Sequence, residues 1–192
     1  MNPTIELLKS HRSIRKFTDQ PIAPDVLNTL FEAGQAAASS SFLQGVTIVR
    51  VTDPAKRTGF FEISNNQPAV QNAPEFMVFC ADLNRAVRCC DWHDSEATTG
   101  FTEQFIIASV DAALYAQNLV VAAESVGLGI CYIGAVRNDP QRACDLLDLP
   151  DHVYPVFGLC LGYPDQDPEI KPRLPLSVMV KENSYDTSAE QD

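Results

Sequence analysis

The sequence predicts one α+β domain, and three observations support this prediction. The chain has 192 residues, the usual size of one domain. Its hydrophobic content of 45% and charged content of 20% are typical of a globular protein with a full core and exclude a disordered chain. Short apolar or β-branched runs are interspersed with longer helical patterns, without an internal repeat or a linker. We therefore expect residues 1–192 to form a single domain, with a frayed polar tail over residues 186–192.

The first half of the chain predicts three helices and two strands. The helices are expected to begin near Pro3, Asp25 and Pro54, where proline or an acidic residue suits a first turn. The β-branched run over 46–51 predicts a strand. The apolar run over 75–81 predicts a central strand that is buried on both faces. Residues 11–17 are expected to be extended, and the segment Asn65–Pro68 is expected to be a loop.

The second half is dominated by one long apolar helix over 101–126, which Gly127 can end in a left-handed conformation. Its predicted core face comprises Ile106, Val110, Ala113, Leu114, Val120 and Val121. Small residues on its other sides allow close helix approach, so we expect this helix to form much of a dimer interface; the alternative is a central helix buried in a monomer. The remaining predicted elements are strands at 130–133, 156–164 and 178–180 and a helix over 140–147.

Composition excludes several classes of function. The formal charge is −11, with 14 Lys and Arg residues against 25 Asp and Glu residues, which argues against nucleic acid or an anionic membrane as partner. No apolar run approaches the length of a membrane span, and no signal peptide is visible. The six cysteines form no C-x-x-C pair. These features predict a cytoplasmic protein with reduced thiols.

The most unusual stretch is a basic cluster over Lys9–Lys16. Its eight residues hold four of the 14 Lys and Arg residues and one histidine, but no acidic residue. One interpretation is a solvated basic surface. The other is a phosphate site, because Ser13 between Arg12 and Arg15 can place a hydroxyl and two guanidinium groups on one anion. The stiff segment Lys171-Pro172-Arg173 offers a second pair of cations for the same phosphate.

Other motifs point to a cofactor or a ligand and away from side-chain catalysis. Small or polar groups that can contact a ligand occur at Ser39-Ser40-Ser41, at Gln67 and at Tyr132-Ile133-Gly134-Ala135. Cys89-Cys90-x-x-His93 lacks a second ligand pair, so no metal site is expected. The sequence contains no dinucleotide fingerprint, no P-loop and no nucleophile elbow. These observations favour a cofactor enzyme or a binding protein.

Several of these segments resemble one known family. His11–Ile22, with the sequence HRSIRKFTDQPI, resembles the opening motif of the FMN-dependent nitroreductase family. Five later segments are similar, in the same order, to its oxygen-insensitive NADPH nitroreductase and flavin reductase P branch. They are Ser39–Gln44, Glu124–Gly129, Tyr132–Gly134, Phe157–Gly162 and Lys171–Pro175. The resemblance covers nearly the whole chain.

The resemblance implies a nitroreductase-like three-layer sandwich, in which a mixed and mainly antiparallel sheet is flanked by helices, and an intertwined homodimer with shared FMN sites. It implies that the phosphate, the ribityl chain or the pyrimidine edge of FMN contacts His11, Arg12, Ser13, Arg15, Lys171 and Arg173. Ser39, Ser40 and Ser41 would come from the partner subunit, Gln67 would meet the isoalloxazine edge, and Tyr132, Ile133, Gly134 and Ala135 would lie beside the ring. Arg15 would offset negative charge near N1 and O2 of the reduced flavin.

The resulting hypothesis is an FMN-dependent NAD(P)H oxidoreductase of the nitroreductase, flavin reductase or quinone reductase type. Hydride would pass from NADPH or NADH to flavin N5 and then to a small acceptor by a ping-pong mechanism, so no side chain is expected to be catalytic. The alternative is a flavin- or phosphate-binding module without turnover. Proteins of this branch usually continue further, with a basic C-terminal region that engages NADPH, so either nicotinamide remains possible here.

Overall fold

A four-stranded sheet lies at the centre of the structure, a computed structural model that describes residues 2–188. The strands are β1 (Val46–Arg50), β2 (Glu75–Asp82), β3 (Gly129–Ile133) and β4 (Val153–Gly162). Their order is β1-β2-β4-β3, and every neighbouring pair is antiparallel. These four predicted strands are confirmed, although β4 begins three residues before its predicted start. Of the predicted tail, residues 189–192 lie outside the described residues.

Eight α-helices surround the sheet in the described part of the chain. They are α1 (Pro3–Lys9), α2 (Pro24–Gln35), α3 (Pro54–Ile63), α4 (Pro68–Asn72), α5 (Asn84–Trp92), α6 (Thr102–Ser125), α7 (Pro140–Leu147) and α8 (Leu176–Met179). Five of them carry proline in the first turn. Proline is tolerated there because N–H groups of the first turn have no acceptor within the helix, so its missing N–H costs no hydrogen bond. Asp53 and Asp139 cap α3 and α7 by accepting backbone N–H groups.

Three predicted details differ in the structure. The edge strand predicted at 178–180 is wrong, because the backbone turns into α8 directly after Pro175. The amides of Val178 and Val180 there donate to the carbonyls of Pro175 and Leu176, so local bonds replace a strand ladder. The predicted loop at Asn65–Pro68 is confirmed over 65–67, but Pro68 already begins α4, and neither α4 nor α5 was predicted.

The sheet separates two apolar layers, which confirms the three-layer sandwich. Along β2, Phe76, Val78 and Cys80 pack in the cluster that contains side chains of α3 and α7. Met77 and Phe79 point to the opposite face and pack with side chains of α2 and α6. All five residues are essentially inaccessible to solvent, as expected for a central strand with helices on both faces.

Helix α6 presents a different face to the sheet from the one predicted. Ala108, Ala112 and Ala116 are fully buried, whereas Val110 and Leu114 are 48% and 42% exposed. Ile106 and Ala113, also predicted for the core, are exposed as well, and only Val120 and the half-buried Val121 lie inward. The helix is apolar around its whole circumference, so periodicity could not identify the inner face. Small alanines let the helix approach the sheet closely and leave the larger side chains outside.

By length and composition alone, α6 could cross a membrane. It has 24 residues and a stretch with mean hydropathy 1.6, one third of which is buried inside the protein. This is weak evidence, because core helices pass the same test. The helix also carries Asp111, whose carboxyl group is buried and hydrogen-bonded to two backbone amides of another segment.

Candidate functional site

The basic N-terminal segment lies along the end of the sheet. The amide of Ile14 donates to Ile130 O in β3 at 2.8 Å. Further along, the amide of Thr18 donates to Tyr163 O, and the amide of Asp165 donates to Lys16 O, each at 2.9 Å. Residues 11–18 are therefore held between β3 and the segment that follows β4. This arrangement carries the basic cluster to the proline-rich segment that contains Lys171 and Arg173.

Six predicted site residues line one small cavity of about 120 Å³, which we call the cation cavity. They are His11, Arg12, Ser13, Arg15, Lys171 and Arg173. Pro168 and Glu169 complete the lining. Two segments about 150 residues apart in sequence thus place three guanidinium groups, an ammonium group, a hydroxyl and an imidazole around one cavity. The carboxylate of Glu169 is the only acidic group among the lining residues that the structure describes. All six groups can donate hydrogen bonds to an anion.

The side chains at this cavity differ in how they are held. Arg12 forms an ion pair with Asp167 of the proline-rich segment. The ring nitrogen Nδ1 of His11 lies 2.5 Å from Oε1 of Glu124, in the last turn of α6. By contrast, Arg15, Lys171 and Arg173 form no ion pair with any described residue. These three cations can therefore meet a bound anion without first losing a carboxylate partner.

The cation cavity adjoins the end of β3. Arg15 lies beside this strand, because the amide of the preceding residue Ile14 donates to Ile130 O. Burial raises the pKa of the Cys131 thiol in the same strand, and the positive charge of Arg15 opposes this shift. The next residue, Tyr132, packs edge-on against Phe157 with ring centroids 5.2 Å apart. Burial, together with the nearby charge of Glu124, raises the pKa of Tyr132 to about 12. Tyr132 is therefore protonated at neutral pH.

The end of β3 and the turn after it contain the three other residues predicted to lie beside the ring. Ile133 is buried at the end of the strand, and Gly134 begins a 3-10 turn that includes Ala135. A Cβ atom at Gly134 would lie only 3.2 Å from Nη2 of Arg137. Gly134 is exposed to solvent, and the guanidinium group of Arg137 lies beside it.

The remaining predicted residues do not line the cation cavity of the same chain. Gln67 is half-buried at the N-terminal end of α4. Ser39 lines a separate cavity of about 670 Å³, together with Asp111 and Arg85. Ser40 and Ser41 follow in the same loop and are exposed to solvent.

Four acidic residues with clear structural roles were not predicted. Glu124 and Asp167 contact His11 and Arg12, and Glu169 lines the cation cavity itself. No motif spacing in the sequence indicates these roles. Asp111 binds the loop that contains the three serines. A signal existed for Asp111, because a carboxylate in the middle of a long apolar helix is costly unless it is paired. Within residues 2–188, no group of three or more His, Cys, Asp or Glu side chains is arranged to hold a metal.

Comparisons with known proteins agree on one family. The pattern of the Nitroreductase family matches residues 8–163. The oxygen-insensitive NADPH nitroreductase of Salmonella typhimurium is 47% identical over 185 residues, which are 96% of this chain and 75% of that protein. The NADPH-flavin oxidoreductase of Vibrio harveyi is 49% identical over the same shares of the two chains.

Solved structures show the same similarity in three dimensions. Nitroreductase A from Vibrio parahaemolyticus superposes with a TM-score of 0.93 at 49% identity, covering 97% of this chain and 78% of that one. The NADPH:FMN oxidoreductase from Vibrio harveyi, solved in complex with NAD+, gives a TM-score of 0.92 at 48% identity, covering 96% and 79%. With its three-layer fold, the family pattern over most of its length and these relatives, the chain belongs to the nitroreductase family.

Proposed function

We propose that this protein is an FMN-dependent NAD(P)H oxidoreductase that reduces small acceptors such as nitroaromatics, quinones or free flavin. The family, together with relatives named as an NADPH nitroreductase and an NADPH-flavin oxidoreductase, supports this function. The observation that carries it is the cation cavity. A phosphate monoester brings nearly two negative charges, and this cavity concentrates cations in a chain whose formal charge is −11.

The residues of the cation cavity fit the phosphate end of FMN. Arg15, Lys171 and Arg173 would bind the phosphate and the pyrimidine edge, since they form no ion pair with the described residues. Ser13 adds a hydroxyl donor. His11 adds its ring nitrogen Nε2, because the other ring nitrogen, Nδ1, is hydrogen-bonded to Glu124. Arg12 would keep its ion pair with Asp167 or replace it with an ion pair to the phosphate.

The isoalloxazine end of FMN would lie by the end of β3. When bound, FMN supplies hydride acceptance and donation at N5, which is the chemistry that links the nicotinamide to the acceptor. The backbone at Gly134 and Ala135 would let the ring approach, with Tyr132 and Ile133 beside it and Gln67 at its edge. Arg15 would offset negative charge near N1 and O2. No side chain needs to act as nucleophile or general base in this scheme.

The site is proposed to be completed in a homodimer. Ile106, Val110 and Leu114, spaced four residues apart, form an exposed apolar face on α6, from 42% to 49% accessible, which is costly in water unless it is covered. None of the three serines lines the cation cavity of its own chain, and Ser39 lines a separate cavity. We infer that the serines would reach the FMN of the partner subunit. We place this single domain, residues 1–192, in the cytoplasm, with its six free cysteines reduced and without nucleic acid or membrane as partner.

Sedimentation of a face variant tests the assembly. Val110→Glu places a charge on the exposed apolar face and should shift the protein towards monomers that have lost FMN affinity. Asp91→Lys on α5 is the control, because it also changes an exposed residue but lies outside this face. A wild-type protein that sediments as a stable monomer with FMN bound would contradict both the interface and the shared site.

Flavin spectroscopy tests the activity. The purified protein should bind FMN, and stopped-flow mixing with NADPH or NADH without oxygen should bleach the flavin absorbance, which an acceptor then restores. The faster of the two nucleotides identifies the preferred reductant. Failure to take up FMN would refute the proposed function, and FMN uptake without bleaching by either nucleotide would identify a flavin-binding protein without turnover.

A further inference from the structure

The feature that the proposed function leaves unused is the buried carboxyl group of Asp111. This side chain belongs to the apolar helix α6, and the residue is only 3% exposed. Its oxygen Oδ1 accepts the amide of Ser40 at 3.0 Å, and Oδ2 accepts the amide of Gly45 at 2.9 Å. One buried acid thus binds both ends of a short loop, residues 39–45, which we call the serine loop. A buried carboxylate without such partners would be strongly unfavourable.

The serine loop has a backbone conformation that its own residues do not favour. Ser41, Phe42 and Gln44 have φ angles of 49°, 57° and 53°, in the left-handed region that residues other than glycine rarely adopt. Such conformations persist only where the surroundings impose them. Asp111 supplies two of the bonds that do so. Arg85 supplies another, because its Nη1 donates to Gln44 O at 2.9 Å.

The outward side of the loop carries the groups that a ligand would meet. Ser40 and Ser41 are exposed, and the side chain of Phe42 is 79% exposed. The amide of Gln44 donates to Oγ of Ser39 at 3.3 Å, so the first serine also helps to close the loop. The inward side is therefore used for anchoring, and the outward side is left available.

We propose that Asp111 is a positioning residue that holds the serine loop in its left-handed conformation and so presents Ser40 and Ser41 to the FMN of the partner subunit. The inference rests on the proposed function, because it assumes the shared FMN site. Asp111 acts through the loop and does not itself touch the flavin. Its effect on FMN affinity depends on the fraction of molecules in which the loop has this conformation. If that fraction falls, the apparent Kd for FMN rises by the inverse of the fraction.

Asp111→Asn tests the anchoring without changing side-chain size. The asparagine keeps one acceptor oxygen and places an NH₂ group against the second amide, so one anchor is lost. In the apoprotein, we expect hydrogen exchange at the amides of Ser40 and Gly45 to become faster, while exchange in the central sheet stays close to wild type. FMN affinity should fall by about 10-fold, equivalent to about 1.4 kcal/mol.

Leu119→Ala is the matched control for a general loss of stability. Leu119 is fully buried on α6 and packs in the cluster with α2, outside the set of residues that bind the serine loop. This variant should lower the melting temperature at least as much as Asp111→Asn, yet retain FMN affinity close to wild type. If Leu119→Ala weakens FMN binding as much as Asp111→Asn does, the effect is one of stability and the proposal is overturned. If Asp111→Asn does not fold, Asp111→Glu replaces it, because the longer side chain keeps the charge but displaces both oxygens from the amides of Ser40 and Gly45. Unchanged exchange at these amides and unchanged FMN affinity in that variant would overturn the proposal.

Mixed dimers of Asp111→Asn and Arg173→Ala subunits test whether the loop acts across the interface. If the serine loop serves the partner's site, one site of the mixed dimer combines both defects and the other has neither. Each mixed dimer should then bind one FMN with wild-type affinity. Two weakened sites would show that the loop serves its own subunit and would overturn the proposal. Because amide exchange is measured without flavin, a wild-type protein that fails to bind FMN would instead refute the proposed function.

Discussion

Removing the Arg173 side chain should weaken FMN binding and leave riboflavin binding nearly unchanged. Riboflavin lacks the phosphate, so the two ligands separate phosphate contacts from ring contacts. Arg173 lines the cation cavity, forms no ion pair with a described residue, and is oriented by a hydrogen bond from Nη1 to Lys171 O at 2.9 Å. Its guanidinium is therefore available to the phosphate at little cost in lost contacts.

The magnitude follows from one charge-assisted contact. Such a hydrogen bond contributes about 1.5–3 kcal/mol, which corresponds to a rise in the FMN Kd of about 10- to 150-fold in Arg173→Ala. Because Arg173 is exposed and solvent screens its charge, we expect the lower end of this range. The assay is a titration of apoprotein with each flavin at fixed salt, followed by flavin fluorescence.

Two further variants make the result decisive. Arg142→Ala removes the same charge from an exposed arginine on α7 that pairs with Glu62, outside the cation cavity, and should leave both affinities unchanged. Arg15→Ala should weaken FMN and riboflavin together and lower the flavin reduction potential, because Arg15 is assigned to the ring. Equal losses for both flavins in Arg173→Ala would place that side chain away from the phosphate and refute the assignment.

Glu169→Gln should tighten FMN binding but not riboflavin binding, because this carboxylate lines the cation cavity and repels a phosphate; weaker FMN binding in the same titration would contradict this. Arg57→Ala should lower the free energy of unfolding in urea by about 2 kcal/mol, since the half-buried guanidinium donates to Val70 O and Ala73 O and each orphaned acceptor costs about 1–3 kcal/mol. Arg57→Lys should recover only part of that loss, and full recovery would rule out the forked contact. Burial raises the pKa of the Cys80 thiol from 9.0 to about 12, so between these pH values the unfolded chain releases a proton that the folded protein keeps. This contribution to stability is complete below pH 9 and is lost at about 1.4 kcal/mol per pH unit above it; Cys80→Ala should flatten that part of the pH dependence in urea unfolding, and an unchanged slope would argue against it.

Much of the fold could be predicted because local chemistry determines it. β-Branched and apolar runs identified all four strands, and the helix starts predicted at Pro54 and at residue 140 are confirmed, each preceded by a capping aspartate. The local sequence pattern gave a wrong prediction where the same residue types suit both a strand and a helix. The segment after Pro175 contains strand-forming residues. The helix α8 forms there because the backbone amides donate hydrogen bonds to carbonyl groups within the same turn.

The site was predictable in its parts but not in its connections. Charge clustering gave a phosphate site as one of two interpretations of the basic cluster, with the Lys171-Pro172-Arg173 segment as a second source of cations, and the structure brings both to the cation cavity. The carboxylates that hold the site could not be found in this way. Glu124 is 113 residues from His11, and Asp111 is 71 residues from Ser40, so only the packed chain places them in contact.

By itself, the sequence determined the strands, most helix boundaries, the two sets of cations and the resemblance to a family, because each depends on residues close together in the chain. The tertiary structure alone decided which face of α6 meets the sheet, since a helix apolar on all sides has no periodicity that distinguishes its faces. It also decided which acids pair with His11 and Arg12 and which one anchors the serine loop. These pairings depend on distance in space, because a buried charge is stabilised only by the groups that packing brings within reach of a hydrogen bond.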